Sequence, residues 1–178
     1  MALKSKVCKF KIALSDMDRN YYDALSLTIA QHPSETTERM MARVVAFCLN
    51  AEENLVFSKG LSDTEEPDIW ARTLDDQISL WIDIGEPSAE RIKKATSLST
   101  IVKVYSFNTK SDVWWELGQK KFKVLNASFF RFKWKDIQQL AELQQRTMNI
   151  SVTIEDNSAY IATESGECEV SWEPLHVK

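Results

Sequence analysis

One stretch of the sequence constrains the fold more than any other: Ile78-Ser79-Leu80-Trp81-Ile82-Asp83-Ile84-Gly85. Its apolar residues recur at every second position, and the positions between them hold Ser79, Trp81 and Asp83. That pattern predicts a strand covered on both faces, as in the centre of a sheet, and the carboxyl group of Asp83 interrupts it. Pro87 and Ser88 then predict the start of a helix, and residues 101–107 return as a strand. The order strand, helix, strand implies a right-handed parallel crossover.

Similar patterns extend on both sides of this unit. Residues 8–14 and 25–29 alternate between apolar and polar side chains, which predicts an N-terminal hairpin. A helix over residues 34–51 should follow, with Ser34 as its N-cap. Nearer the C-terminus we expect helices over 111–121 and 136–145, the second capped by Asp136, an extended segment over 127–134, and an antiparallel meander over 151–154, 159–161 and 168–172. The expected fold class is therefore α/β in the broad sense, a mixed α+β protein.

The composition is that of one soluble domain. A chain of 178 residues with 44% hydrophobic content can bury one sizeable core, so residues 1–178 are expected to form a single domain. No apolar run approaches the roughly 20 residues that span a bilayer, and the N-terminus has no apolar signal segment. Cys8, Cys48 and Cys168 are widely spaced and odd in number, which favours reduced thiols. We therefore expect a cytoplasmic protein that does not enter the membrane.

The scarcity of glycine and histidine excludes several classes of enzyme. With four glycines the sequence contains neither a P-loop nor a GxGxxG turn. His32 and His176 are too few for a multi-histidine zinc site, and no GxSxG elbow is present. Any chemistry must therefore depend on carboxylates and lysines. The net charge of -4 argues against a protein that coats nucleic acid, although it leaves room for a local basic groove.

Several blocks of the sequence together form a recognisable pattern. They are His32-Pro33-Ser34-Glu35-Thr36-Thr37-Glu38-Arg39-Met40-Met41, Glu66-Pro67, Leu80-Trp81-Ile82-Asp83-Ile84-Gly85 and Arg91-Ile92-Lys93-Lys94-Ala95, with Asp18-Arg19-Asn20 and Arg146-Thr147-Met148 near the two ends. In this order they resemble the bacterial YaeQ family over essentially the whole chain. The resemblance implies a variant PD-(D/E)XK core, like that of restriction endonucleases. In that core a helix is followed by a three-stranded β unit, a second helix and a further strand, here with additional antiparallel β elements at both ends.

The resemblance also implies a metal-dependent site. Nucleases of this fold place two or three carboxylates around Mg²⁺, which activates water, while a lysine positions the nucleophile. Asp83 stands at the position of the acidic residue of the motif. The motif lysine should follow two residues later, but that position is Gly85, so Lys94 and Arg91 on the following helix are the candidates to replace it. The alternative for both basic residues is a solvated helix surface.

Three further acids are candidate ligands for Mg²⁺. Glu66 and Asp68 bracket Pro67 ahead of the central strand, and Pro67-Asp68 reads as the PD of the motif. Glu38 lies at the edge of the buried stripe of the first helix, where related nucleases contribute an acid. The alternatives are a solvated loop for Glu66 and Asp68, and an ion pair with Arg39 for Glu38.

A pattern typical of nucleic-acid binding occurs further along the chain. Aromatic and basic side chains alternate along residues 130–135. An amphipathic strand explains the alternation more simply, with its aromatic side chains packed inward and its bases in water. This is the interpretation that we prefer.

These observations leave three functions open. The first is a Mg²⁺-dependent phosphodiesterase that acts on DNA or RNA; it would use Glu38, Glu66, Asp68 and Asp83 as metal ligands, with Lys94 and Arg91 near the attacking water. The second is a non-catalytic descendant of the fold, which binds nucleic acid or a protein of the transcription or repair machinery. The glycine at position 85 and the pI of about 5.3 favour the second function. The third is a purely structural role as a protein-interaction module, for which the sequence names no partner.

Overall fold

The computed structural model describes residues 4–178, and over this range the protein has a mixed α+β fold with ten strands and four α-helices. The strands are β1 (Lys6–Asp16), β2 (Tyr21–Gln31), β3 (Leu55–Phe57), β4 (Ile69–Arg72), β5 (Ile78–Ile84), β6 (Ser99–Ser106), β7 (Ser128–Phe132), β8 (Thr147–Glu155), β9 (Ser158–Thr163) and β10 (Gly166–His176). The helices are α1 (Thr37–Leu49), α2 (Ala89–Leu98), α3 (Ser111–Phe122) and α4 (Trp134–Glu142), and Gly60–Ser62 forms a 3₁₀ turn. The mixed class expected from the sequence is confirmed.

The chain is divided into two compact units. Unit 1 comprises the described part of residues 1–49 together with Lys133–Trp172, and unit 2 comprises Asn50–Phe132 and Glu173–Lys178. Each unit contains segments that are distant in sequence. The expectation of a single domain over residues 1–178 stays a prediction.

Unit 1 contains a five-stranded sheet in the order β2-β1-β8-β9-β10, together with α1 and α4, which pack against each other. The predicted N-terminal hairpin is confirmed, because β1 and β2 pair antiparallel along their whole length. β1 also pairs in parallel with β8. On β1, Phe10 and Ile12 are buried while Lys9 and Lys11 are exposed, so the alternation in the sequence marks the two faces of the sheet.

The predicted N-terminus of α1 is wrong by three residues. The helix begins at Thr37, and the hydroxyl of Thr36 accepts the backbone N–H of Arg39 at 3.1 Å, which makes Thr36 the N-cap. Ser34 instead lies in the preceding turn, with its hydroxyl 2.7 Å from the His32 ring. Both Ser34 and Thr36 are residues that cap helices well, and the turn before the helix decided between them.

The predicted cap of α4 is also wrong. The helix begins at Trp134, so Asp136 lies inside its first turn. Its carboxylate accepts the backbone N–H of Ser171 on β10 at 3.0 Å, which ties the helix to the C-terminal strand. A carboxylate in the first turn still lies at the favourable end of the helix dipole.

Unit 2 contains five strands that are hydrogen-bonded in the order β7-β6-β5-β4-β3. The prediction of a central strand is confirmed, since β5 pairs antiparallel with β4 on one side and in parallel with β6 on the other. α2 connects β5 to β6, as the sequence pattern indicated. One face of this sheet packs on a cluster of buried side chains that includes Trp81, Ile92, Val104 and Phe129. Burial of each such side chain contributes about 1.5–3 kcal/mol to stability.

The helices of the described residues are short. No helix within residues 4–178 is long and apolar enough to cross a bilayer.

Candidate functional site

Asp83 is buried at the end of the central strand of unit 2. It is the second-last residue of β5 and is 3% exposed. Strand geometry places it on the same face as Trp81, which packs in the cluster beneath α2. The alternating pattern that buries Trp81 therefore also buries a carboxylate, and a buried carboxylate requires a partner.

That partner is Arg91, on the first turn of α2. Its Nε donates to Oδ2 of Asp83 at 2.9 Å and its Nη2 donates to Oδ1 at 3.1 Å, a two-pronged ion pair. The helix is positioned for this contact by its N-cap, because the hydroxyl of Ser88 accepts the backbone N–H of Arg91 at 3.2 Å. The family resemblance made Lys94 and Arg91 the two candidates to reach back from this helix, and of the two it is Arg91 that contacts Asp83.

Arg91 also holds the loop that precedes β4. We call residues 63–68 the acidic loop. Nη1 of Arg91 donates to the carbonyl of Thr64 at 2.6 Å, and Nη2 donates to the carbonyl of Glu66 at 2.9 Å. We use the name Arg91 cluster for the group formed by Arg91, the Asp83 carboxylate and the carbonyls of Thr64 and Glu66. One guanidinium therefore joins a strand, a helix and a loop, which only its planar fork of donors permits.

Asp68 closes the other side of the acidic loop. It is 5% exposed, and its Oδ2 accepts the backbone N–H of Ile84 at 2.8 Å. Its own backbone N–H donates to the carbonyl of Ile82 at 3.1 Å. The side chain thus continues the hydrogen bonding between β4 and β5 by one step beyond the strands.

The electrostatics of Asp83 follow from this environment. Burial raises the pKa of its carboxyl group, Arg91 opposes that shift through its hydrogen bonds and charge, and the neighbouring Asp68 raises the pKa further. The indole N–H of Trp81 also favours the charged form, although it makes no hydrogen bond of ordinary geometry. The two acids lie near each other, because the Asp68 carboxylate bonds to the backbone of Ile84, the residue after Asp83.

The backbone conformation at position 85 explains why a glycine stands where the family resemblance would place a lysine. Gly85 has φ of +118°, a backbone conformation that side-chain-bearing residues rarely adopt. Its N–H donates to the carbonyl of Tyr105 on β6 at 2.8 Å, and this hydrogen bond holds the backbone of Gly85 in place just after β5 ends. A lysine at position 85 would be strained there.

The remaining candidates are distributed differently from the expectation. The Glu66 carboxylate is half-buried and accepts the backbone N–H of Lys59 at 3.1 Å, so it is the carbonyl of this residue that joins the Arg91 cluster. Lys94 forms an exposed ion pair with Glu65 of the acidic loop. Glu38 lies in the first turn of α1 and belongs to unit 1.

The arrangement of these residues does not fit a bound Mg²⁺. No group of three or more His, Cys, Asp or Glu side chains in the described part of the chain is placed to hold a metal ion. Both oxygens of Asp83 already accept from a guanidinium, and an oxygen of Asp68 accepts a backbone N–H. A divalent cation at Asp83 would also meet the positive charge of Arg91.

A second polar cluster in unit 2 was missed by sequence reasoning. The Lys103 ammonium donates to Oδ1 of Asn50 at 2.7 Å, and Nδ2 of Asn50 donates to the hydroxyl of Tyr105 at 2.9 Å. Strand geometry places Lys103 and Tyr105 on the face of β6 opposite to Val104. The available signal was Lys103 within an otherwise apolar strand, since a charged group there needs a partner.

Comparison with known proteins places the chain in a family. The family model described as YaeQ protein matches residues 1–172. The chain is 37% identical to "Uncharacterized protein YaeQ" of Salmonella typhi over 172 residues, covering 96% of this chain and 95% of that protein. It is 35% identical to the protein of the same name of Escherichia coli K12 over 173 residues, covering 96% of both.

Two crystal structures have the same fold as this chain. The YaeQ protein from Xanthomonas axonopodis pv. citri superposes with a TM-score of 0.92 at 33% identity, covering 98% of this chain and 99% of the other. The YaeQ protein from Pseudomonas syringae superposes with a TM-score of 0.93 at 31% identity, covering 98% and 97%.

Proposed function

We propose that this chain, which belongs to the YaeQ family, is a non-catalytic protein-binding protein built on a nuclease-like core. The non-catalytic part of the proposal rests on one observation, the Arg91 cluster. Both oxygens of Asp83 accept from one guanidinium, at 2.9 and 3.1 Å, and the same guanidinium holds the acidic loop. A carboxylate held in this way serves to fix the loop, because a metal ion would have to displace Arg91 before it could use the acid.

The nuclease-like core is proposed from the order of the elements. α1, the antiparallel strands β3, β4 and β5, then α2 and the parallel strand β6 follow one another along the chain. This is the order that resemblance to the variant PD-(D/E)XK fold implied. Asp68 and Asp83 stand before β4 and near the end of β5, at the positions of the two motif acids. Such a likeness supports an architecture, whereas activity depends on the site.

Helix α3 supplies a surface that suits a protein partner. Val113, Leu117 and Val124 are 59%, 82% and 79% exposed. Their spacing of four and seven residues puts them on one side of the helix and its C-terminal turn, and we call them the α3 ridge. Lone exposed apolar residues are ordinary, but three in line form a surface that favours contact with another molecule.

The occupant that the α3 ridge fits is an amphipathic helix of another protein, with acidic residues beside its apolar face. Lys120, Lys121 and Lys123 are all exposed at the end of α3 and supply the complementary charge. Nucleic acid fits less well, because aliphatic side chains cannot stack on bases as aromatic rings do. Of the bases in the 130–135 pattern, Arg131 is engaged by Asp112 and Glu173.

The absence of catalysis can be tested by calorimetry and by nuclease assays. Mn²⁺ and Mg²⁺ are titrated into the wild type, and cleavage of single- and double-stranded DNA and RNA is assayed in the same buffers. We expect no heat beyond dilution and no cleavage. Metal binding together with cleavage, both lost in Asp83→Asn but retained in the exposed α2 variant Lys93→Ala, would establish a nuclease and refute the proposal.

Protein binding can be tested with a designed probe. A labelled helical peptide with leucines on one face and glutamates beside them should bind with micromolar affinity, weaken with added salt, and lose binding to Leu117→Glu. Leu74→Glu is the matched control, because Leu74 is a fully exposed leucine in the turn between β4 and β5, outside the α3 ridge. Equal binding by the two variants, or preferential binding of a DNA or RNA oligonucleotide, would contradict the assignment.

A metal-dependent phosphodiesterase is the second candidate, and one observation favours it. The Asp68 carboxylate accepts the backbone N–H of Ile84, the residue after Asp83, at 2.8 Å, so two acids of the kind that such a site needs lie close together. This candidate requires Arg91 to withdraw from Asp83. It predicts that Asp68→Asn and Asp83→Asn each abolish cleavage by the wild type, whereas Glu65→Gln, which breaks the exposed ion pair with Lys94, leaves cleavage unchanged.

A further inference from the structure

The outward face of the unit 1 sheet is made of small side chains at its centre. Ala13 on β1 pairs with Ala24 on β2 and with Ser151 on β8, and Ser151 pairs with Ala162 on β9. These residues are exposed or half-buried, and they line an open cavity of about 530 Å³. Another surface can therefore approach the backbone of this sheet closely. We call it the sheet face.

Opposite charges lie on the two sides of the middle strand of the sheet face. Lys11 on β1 is paired with Asn149 on β8, and the amide of Asn149 donates to the carboxylate of Glu164, at the end of β9, at 2.8 Å. The row Lys11, Asn149, Glu164 thus has a cation and an anion on either side of β8, about 10 Å apart across two strand spacings. Both charged residues are exposed.

This order of charges is complementary to itself under a two-fold rotation. A rotation axis that runs along β8, parallel to the sheet, brings β1 of one copy opposite β9 of another. Lys11 then faces Glu164 twice, and Ala13 faces Ala162. One row further along, Tyr22 on β2 would lie opposite Glu169 of β10 in the second copy, since Tyr22, Ser15, Thr153, Tyr160 and Glu169 are paired in sequence across the five strands.

We propose that the sheet face is where two copies of this chain associate, as a symmetric dimer of aligned, face-to-face sheets with its two-fold axis along β8. Such an isologous contact requires a surface that is complementary to itself, which the charge order supplies. The small side chains at the centre let the two sheets approach closely, and aligned packing of two sheets is a common arrangement. The inference is independent of the α3 ridge, which belongs to unit 2.

The area of the face limits the strength of the dimer. Five strands, each about 4.8 Å wide, and five rows of residues, which span four intervals of about 6.6 Å, give roughly 600 Å² for each copy. The total of about 1,200 Å² is at the lower end for a specific interface. We therefore expect a dissociation constant in the micromolar range that rises with salt, because the outer contacts are ion pairs.

The test is a charge exchange, followed by sedimentation equilibrium at low and high salt. Lys11→Glu and Glu164→Lys should each weaken self-association by about tenfold or more, because each places like charges opposite each other twice in the dimer. An equimolar mixture of the two variants should associate again, since the mixed dimer contains one native Lys11–Glu164 contact and one contact in which both charges are exchanged. Circular dichroism checks that both variants, altered at exposed positions, are folded.

Two further variants make the result specific to this face. Ala13→Trp should abolish association by filling the centre of the contact, while Lys93→Glu, a charge reversal at an exposed position of α2 in unit 2, should leave the dimer unchanged. A chain that is monomeric at several hundred micromolar in low salt would overturn the inference. A dimer that tolerates Ala13→Trp, or variants whose mixture associates no better than each alone, would overturn it as well.

Discussion

Replacement of Arg91 by alanine should destabilise the protein by about 3–4 kcal/mol at pH 7, because it leaves the Asp83 carboxylate buried without its cation. The Asp83 side chain is 4% exposed, so water cannot replace the guanidinium in place. The least costly response is uptake of a proton. The ordinary pKa of this carboxyl group is 3.8, and each pH unit above the pKa adds about 1.4 kcal/mol to the cost of protonation. Protonation at pH 7 therefore costs about 4 kcal/mol, and this is the upper limit of the stability that Arg91→Ala can lose. The carbonyls of Thr64 and Glu66 also lose a donor, but they lie in a loop that water can reach.

The assay is urea unfolding of the wild type and Arg91→Ala at pH 7 and at pH 5.5. The loss should be smaller at pH 5.5 by about 2 kcal/mol, because the cost of protonating Asp83 falls with pH. In an Asp83→Asn background the same replacement should cost clearly less, since no charge is left to neutralise. Lys93→Ala, at an exposed position of the same helix, is the control and should change stability by less than about 0.5 kcal/mol.

A loss below about 1 kcal/mol that is the same at both pH values would refute this reasoning. It would mean that Asp83 does not depend on Arg91 for its charge, and the Arg91 cluster would then no longer carry the non-catalytic proposal.

Three further predictions concern Gly85, Asp83 and a second buried ion pair, in which Nε and Nη2 of Arg43 donate to the Glu35 carboxylate at 2.9 and 2.6 Å. Glu35→Ala should destabilise the protein by about 3–5 kcal/mol in urea unfolding, because it leaves Arg43, whose side chain is 5% exposed, without its buried carboxylate partner; Glu35→Gln should cost less. Gly85→Ala should cost about 1–2 kcal/mol in thermal unfolding through its φ of +118°, although nothing lies near the added Cβ; an unchanged melting temperature would contradict this. Burial raises the pKa of Asp83, so the folded chain holds this proton more tightly than the unfolded chain does, and the stability of wild type relative to Asp83→Asn should be greatest below pH 3.8 and fall as pH rises through the raised pKa. A difference that grows with pH would show that the pKa is lowered instead.

Much of the secondary structure was predictable because it depends on local periodicity. The alternation along residues 78–84 and 8–14 marked two strands correctly, and Ser88 was correctly identified as the start of α2. Two other predicted caps were wrong: Ser34 lies in the turn before α1, and Asp136 lies inside α4, where its carboxylate bonds to the backbone of Ser171 instead. The local sequence shows which residues are able to cap a helix. Contacts with other parts of the chain decide which of them does so.

The candidate site was predictable only in part. Asp83 and Arg91 were both selected, one from its position in an apolar strand and the other from its helix, and the structure brings them together. Their relationship was not predictable, because a carboxylate at a strand end is compatible with solvent, a metal ion or a cation. The buried pairing of Glu35 with Arg43 was missed, although a charged Arg43 within the apolar run of α1 indicated that a partner was needed.

The sequence by itself determined which residues are buried in most strands and helices, and the family to which the chain belongs, because both are expressed by the order of residue types along the chain. Tertiary structure alone decided the parallel pairing of β1 with β8 and the closure of Arg91 over Asp83 and the acidic loop. Partners in these contacts are separated by more than one hundred residues in the first case and by 27 between Arg91 and Thr64 in the second. A periodic pattern indicates that a residue is buried. Its hydrogen-bonding or ion-pair partner depends on how segments distant in sequence pack together.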